Sequence, residues 1–387
     1  MVSLERCDAY DRTAVMEAVD RALERLGGIS KFVGPGEKIL VKPNLLSPTP
    51  PDRAVTTHPL LVEAVVRQIQ SAGAYPIISE SPGAGTKHSE QRLKEVFEVT
   101  GMMEVADRTG AELRIELEPI HLSFLEGRFT KGFELLPVLR EVDGIVNLPK
   151  LKTHVFMTYT GAVKNLFGLI YGVSKSKFHV RFPNEPDFAG MLIDVMRFAR
   201  PRLTVMDGVI GLEGNGPGSH GSPRKVGVIL AGENPVEVDA AACRIIGMGF
   251  DEVPIFDAAK SAGEWDGKVQ IVGTPIEEVM IPDFKRPDSR PTEKAILRYK
   301  LIRKFAGKLM REITSPRPVP QKGRCVACGV CVRSCPQNAI RIKGKVAVVD
   351  DSLCIRCYCC HEMCPESAIE LRFSVISKLF KRIVEER

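Results

Sequence analysis

The residues that most directly state a chemistry are nine cysteines between Cys325 and Cys364, out of eleven in the 387-residue chain. Residues 325–336 read C-V-A-C-G-V-C-V-R-S-C-P and residues 354–365 read C-I-R-C-Y-C-C-H-E-M-C-P, two copies of C-x2-C-x2-C-x3-C-P. Three thiolates at this spacing on a tight loop wrap three irons of one cubane, and the fourth points across to the other cluster. The proline that follows keeps the next helix from running through the ligand. The repeat assigns Cys325, Cys328, Cys331 and Cys364 to one 4Fe-4S cluster, and Cys354, Cys357, Cys360 and Cys335 to a second. Zinc is the rival for paired cysteines, but it tolerates freer spacing than this duplicated run. Cys359 is expected to be a non-ligating thiol, His361 an outer or surface residue, and Cys243 a small buried hydrophobe.

A second constellation is PKLKTHVFMTYTGAVKNLFG, residues 149–168. It follows the strand pattern GIVNLPK (144–150), so it leaves the carboxyl edge of a sheet, where α/β domains bind ligands. Lys150, Lys152, Thr160 and Asn165 supply the donors an anionic group needs. His154 is the candidate for proton transfer, and Lys164 for anion or covalent anchoring. Lys42, Asn44, Glu80 and Glu213 stand at other strand ends that could converge there. The competing reading is a cationic surface loop with an ordinary histidine. Asp239 is expected to place charge at a helix N-terminus, and His58 to start a helix.

The elements that must position these groups read as an α/β domain with a largely parallel sheet. Strand patterns at 38–42, 75–80, 144–150, 203–209, 226–232 and 269–273 alternate with helical ones such as 58–73 and 234–247. The glycine-rich GLEGNGPGSHG (211–221) reads as a mobile loop. The domain plan is an α/β ligand- or substrate-binding domain over 1–285, and a basic helix with proline-rich linker over 286–322. A small α+β cluster domain follows over 323–373, then an amphipathic helix over 374–387.

Composition is globular, 44% apolar and 26% charged, with net charge +6. Aromatics at 6% argue against a base-stacking nucleic-acid platform. From Lys285 to Arg324 cations far outnumber acids, which suits a solvated connector, an acidic protein partner or peripheral membrane contact through the basic amphipathic helices. The N-terminus lacks the apolar run of a secretory signal, and no stretch is apolar enough to span a bilayer, so a cytoplasmic location is expected. Clustered cysteines in a reducing compartment point to metal rather than disulfides.

The C-terminal repeat closely resembles bacterial-type two-cluster ferredoxins over about 50 residues. VKPNLL, PKLKTH, TGAVKN, the EGNGPG loop and AGENPVEVDAAA together resemble the domain-of-unknown-function family numbered 362, over about residues 1–280. That likeness implies cluster binding and redox association without a known substrate. The large domain is also distantly similar to the catalytic domain of nickel-pincer lactate racemases. There a histidine precedes the cofactor-holding lysine by ten positions, as His154 precedes Lys164, and His179 lies where a nickel-ligating histidine follows. Thr153 and Ala162 depart from that pattern, so the likeness implies a shared fold rather than the nickel cofactor. No Walker-A, nucleophile-elbow or dinucleotide-binding glycine motif is present.

The favoured function is an oxidoreductase. Two 4Fe-4S clusters relay electrons between an external donor or acceptor protein and an anionic small molecule in the large domain. Whether that domain holds a further cofactor is left open. The alternatives are an electron carrier or scaffold whose large domain binds a partner, and a non-redox isomerase with structural clusters.

Overall fold

The computed structural model describes residues 1–172, 174–289 and 315–373. Residues 290–314, most of the segment expected as a basic helix and linker, and the amphipathic helix expected at 374–387 lie outside the described residues.

In chain order the strands are β1 (Val2–Arg6), β2 (Lys38–Pro43), β3 (Tyr75–Ile78), β4 (Glu112–Leu113), β5 (Ile120–Ser123), β6 (Gly132–Leu135), β7 (Gly144–Leu148) and β8 (Lys150–His154). They continue with β9 (Thr158–Thr160), β10 (Leu203–Gly214), β11 (Gly221–Gly232), β12 (Ile271–Gly273), β13 (Arg317–Pro320), β14 (Ile340–Lys343), β15 (Val346–Val349) and β16 (Ile369–Arg372). The large domain is built on a 10-stranded sheet whose main path runs β12-β1-β11-β10-β7-β2-β3-β4, with β8 and β9 attached beside β10. Strands β10, β7, β2, β3 and β4 are parallel, while β11 is antiparallel to both β1 and β10. The fold is thus a large, mostly parallel α/β domain followed by a small strand-rich unit.

Both faces of the sheet are covered, as near-continuous apolar strands require. Side chains alternate between them: Ile39 and Val41 join one core with the helices Arg12–Arg25 and Pro59–Ser71, while Leu40 points into the other with Glu185–Ala199 and Pro235–Ile245. The helix starts follow capping chemistry. His58 accepts from Leu60 N ahead of Pro59, and Asn234 accepts from Val236 N ahead of Pro235.

The chain steps outward from β2 through β3 to β4, then returns to the other side of β2 with β7 and β10. The order therefore reverses between β2 and β7. The crevice outside the carboxyl ends of strands at such a point is where open α/β sheets bind ligands. Lys42 lies at the end of β2 and Asn44 just past it, Glu80 follows β3, and Lys150–His154 follows β7.

Two expectations need correction. The glycine-rich run is the tip of a long hairpin formed by β10 and β11: its ends belong to the strands, and residues 215–220 are the loop between them. Loop residues Asn215, Ser219 and His220 pack on the C-terminal unit. Likewise SPRPVPQKG is not simply a linker. Arg317–Pro320 pairs antiparallel with Ile369–Arg372, and a two-stranded edge pairing tolerates prolines that a central strand would reject.

Among the described residues, no helix is long and apolar enough to cross a membrane.

Candidate functional site

The segment after GIVNLP, for which a cationic surface loop was the competing reading, is strand β8, and all five residues Lys150–His154 are buried. Alternation places Lys150, Lys152 and His154 on one face. Their surroundings then separate them. Lys150 Nζ donates to Asp207 Oδ2 (2.9 Å) and Tyr10 OH (2.5 Å), and Tyr10 stacks on His58 at 3.6 Å. Lys150 is thereby tied into a buried ion pair away from the Lys152–Asn44–Asn165 group. Glu213 is also diverted: it accepts from Lys285 N at 3.0 Å and faces the Lys285 ammonium at 3.7 Å.

The remaining candidates do converge. Lys152 Nζ donates to Asn44 Oδ1 (2.6 Å) and Val55 O (2.8 Å). Asn44 Nδ2 donates to Asn165 Oδ1 (3.1 Å), and Asn165 Nδ2 to Asn147 Oδ1 (2.9 Å). Lys42 forms a buried ion pair with Glu80 and also donates to Pro43 O at 3.0 Å. Gly168 is required beside that pair, since a Cβ there would strike both charged groups. Thr160 sits opposite Lys152 in the β8–β9 hairpin.

Lys164 lies on the short helix Ala162–Asn165, whose start is held by Asp239. Asp239 Oδ1 accepts from Ala162 N (2.5 Å) and Tyr159 OH (3.0 Å), and Oδ2 accepts from Val163 N (3.0 Å). Asp239 thus caps the helix that carries Lys164, not the one it stands on. Burial pushes its pKa up to about 7, against the pull of those two backbone donors. Among the described residues no hydrogen bond or ion pair reaches the Lys164 ammonium, which sits 5.9 Å from the centre of the Phe167 ring.

His154 Nδ1 accepts from Phe156 N (3.0 Å) and Met157 N (3.3 Å), which puts the proton of the neutral ring on Nε2. Nε2 faces Glu362 Oε1 at 3.4 Å. Glu362 belongs to the helix Cys359–Glu362 inside the second cysteine motif. The C-terminal unit therefore contributes a carboxylate to the large domain's crevice. The docking is held elsewhere by Ser219 Oγ donating to Cys364 O (2.6 Å), and by His220 stacked on His361 at 3.7 Å. Tyr358 is inserted into the large hydrophobic core. His361, expected as an outer or surface residue, is buried, and its Nδ1 lies 2.6 Å from Ile369 O. Its ring fills the seam between the two units.

The electrostatics are those of enclosed cations. Burial pulls Lys152 well below the usual lysine range, helped by the charges of Lys164 and Lys150. Burial also lowers Lys164, opposed by Glu362 and Cys359. Lys175, which carried no signal in the sequence, donates to Ser81 O (2.7 Å) and Pro82 O (3.0 Å), and burial brings it to about 7. Glu362 is raised to about 7 by burial, opposed by Lys164 and Lys152. An anion entering this region would offset the cost of burying these ammonium groups.

Glu362 was missed because it sits in the spacer of a metal motif. The signal available was the contrast between the two spacers, Val332-Arg333-Ser334 and His361-Glu362-Met363.

His179 lies under the site, stacked on Phe188 at 4.5 Å. Burial first, then the Lys164 charge, lowers its pKa to about 3 from an ordinary 6.5. Because the folded value is depressed, the unfolded chain takes up this proton first as pH falls. The stability it contributes is present above pH 6.5 and is lost below it. Acidification to about pH 5.5 is expected to cost about 1 kcal/mol through this ring alone. A His179→Phe variant, whose ring stays in the stack, should show a flatter stability profile over that interval in chemical denaturation.

Cys325, Cys328, Cys331 and Cys364 line one cavity, with Val326, Ile342, Ala347 and Ile369 among its other walls. Cys360 lies near Cys357, Cys354 and Cys335, and also near Cys331 of the neighbouring set. Among the described residues no three His, Cys, Asp or Glu side chains converge on a point as they would on a single ion. Thiolates spaced around a cavity suit a cubane, which takes each one at a separate iron.

Known proteins place both parts of the chain. Residues 39–244, more than half the chain, match the family described as "Domain of unknown function (DUF362)", and residues 324–368 match a "4Fe-4S dicluster domain". A "Thylakoid-associated protein" of Synechocystis sp. is 32% identical over 269 residues, covering 68% of this chain and 79% of that protein. The lactate racemase apoprotein of Thermoanaerobacterium thermosaccharolyticum superposes with a TM-score of 0.40 at 16% identity, over 64% of this chain and 57% of that one. The chain belongs to the domain-of-unknown-function 362 family and ends in a 4Fe-4S dicluster domain.

Proposed function

We propose that this protein is an iron–sulfur oxidoreductase. In this reading its two clusters exchange electrons with an anionic substrate or cofactor bound at the seam between the large domain and the dicluster unit. The observation that carries it is Glu362: the helix holding Cys359 and Cys360 also brings this carboxylate to 3.4 Å from His154 Nε2. The two cysteine sets described above are assigned to the two clusters, and the Cys335, Cys354, Cys357 and Cys360 set is the one beside the seam. When bound, the clusters supply single electrons; the surrounding residues bind and move protons.

Lys164 and Lys152 hold the anionic group, with Asn44 and Asn165 fixing Lys152 and the floor of the site. His154 Nε2 is the proton-transfer atom, and Glu362 orients that ring and balances its charge. Glu362 also stands where an incoming carboxylate or phosphate would meet Lys164 and Lys152, so substrate and Glu362 share the same cations. The cytoplasm is the compartment we assign, because free thiols survive there. The thylakoid association named for the Synechocystis relative supports peripheral membrane contact as an accompanying property.

The test starts with anaerobic purification of the full chain and mass analysis of any small molecule that co-purifies. With that compound as substrate, His154→Gln and Lys164→Ala are expected to lower turnover at least 100-fold while leaving iron content unchanged. Glu362→Gln should shift the pH–rate profile and lower kcat more than it raises KM. Full turnover in the His154 and Lys164 variants would sink the assignment. Clusters that cannot be reduced would favour the isomerase reading.

A further inference from the structure

The dicluster unit has two unlike ends. One is consumed by the large domain, where Cys359 and Cys360 are buried and Tyr358 joins its core. The other is the cavity lined by Cys325, Cys328, Cys331 and Cys364, which meets the large domain at Cys364 O and opens to solvent around Cys328. There Cys328 is exposed, Val326 is 61% exposed and Ile342 38%, and both apolar side chains border the cavity. Two large apolar side chains are left in solvent beside a cluster site.

The rim around them is basic. Arg333 reaches toward Cys328 O at 3.5 Å, and Ile342 belongs to the hairpin β14–β15, which also exposes Lys343 and Lys345. Ala347 of the same hairpin donates its N–H to Cys325 Sγ at 3.4 Å, so the hairpin is anchored to the cluster loop. Glu366 is the acid at this edge. An apolar centre ringed by charge is the anatomy of a transient protein interface, and the sign of the ring selects the partner.

We propose that this face docks a small acidic single-electron carrier protein, which exchanges electrons with the Cys325–Cys364 cluster. With both clusters bound, the set Cys335, Cys354, Cys357 and Cys360 would hold the one that hands electrons on toward the seam. The proposal rests on the redox reading for its purpose, but its test needs no large-domain substrate. In the docking step a reduced flavodoxin hydroquinone loses one electron and becomes the semiquinone. One cluster gains that electron, passing from the 2+ to the 1+ state.

The test uses the full chain with its clusters, a flavodoxin as probe and dithionite as a small reductant. Stopped-flow reduction by flavodoxin is expected to slow steeply as salt rises. Arg333→Glu combined with Lys343→Glu and Lys345→Glu should lower its second-order rate at least tenfold and abolish binding of oxidised flavodoxin in calorimetry. Reduction by dithionite should stay within twofold. The pair Lys343→Glu and Lys345→Glu, which leaves the cluster helix untouched, should give an intermediate loss and serves if the triple variant loses iron. Charge reversal at Lys268, an exposed residue just before the edge strand β12 of the large sheet, should change neither rate. Flavodoxin reduction and binding that survive the Lys343 and Lys345 reversals unchanged, or that fall equally with the Lys268 reversal, would overturn the proposal. A lost seam activity with intact flavodoxin kinetics would count against the substrate reading alone.

Discussion

Cys364→Ala is expected to disturb both clusters, although Cys364 belongs by sequence to the second motif alone. In the fold it shares a cavity with Cys325, Cys328 and Cys331 of the first motif. Its main-chain carbonyl accepts from Ser219 Oγ at 2.6 Å, so the same residue helps seat the unit on the large domain. Each cluster takes one thiolate from the other half, and the crossing ties the two loops together. Iron content is expected to fall from about eight per chain to about four or fewer, with the low-temperature EPR of the reduced protein losing its interacting-cluster features. Cys335→Ala should behave alike. Cys359→Ala is the contrast, because its thiol lies beside Cys357 without completing either set of four. That variant should keep about eight irons. Full iron and unchanged EPR in Cys364→Ala would refute the crossed assignment.

Glu80→Ala should be among the most destabilising single changes in the large domain. Its carboxylate is buried and forms an ion pair with Lys42, whose side chain is wholly enclosed. Burial raises Glu80 and lowers Lys42, and each partner opposes the shift of the other. Removing one member leaves a buried charge uncompensated, at a cost of about 3–5 kcal/mol. The double variant Lys42→Met with Glu80→Met removes both charges and should recover much of that loss. Chemical denaturation of the three proteins is the measurement. A double variant no more stable than Glu80→Ala would mean that the cost lies in packing around Gly168 rather than in charge. Because Glu80 also lies close to Lys175 and Lys152, the single change should loosen the crevice as well as the fold.

The dicluster domain was legible from spacing alone, because the ligand pattern of a cubane is local: three thiolates must come from one short loop. Family membership was equally legible, as short motifs around Lys42, Lys150–His154 and Lys164. The alternation of strands with helices announced a parallel α/β sheet, since each parallel neighbour needs a crossover. These features depend on residues near one another in the chain.

What depended on distant pairing was not legible. Lys150 and Lys152 look equivalent in PKLKTH, yet Lys150 is spent on Asp207 and Tyr10 while Lys152 faces Asn44. Glu213 looked like a site acid until the chain near Lys285 folded back on it. Asp239 caps a helix that begins 77 residues before it. The glycine-rich run, set down as a mobile loop, became a hairpin and a docking loop because β11 had a partner in β10.

The sequence by itself determined that eight named cysteines could hold two clusters, and it singled out a lysine- and histidine-bearing strand end as a candidate site. Only the tertiary structure brought the two next to each other. Glu362 lies 208 residues from His154 in the chain and 3.4 Å from it in space. No local pattern encodes that distance. It follows from the docking of Ser219, His220 and Tyr358, whose buried contacts hold the dicluster unit against the crevice.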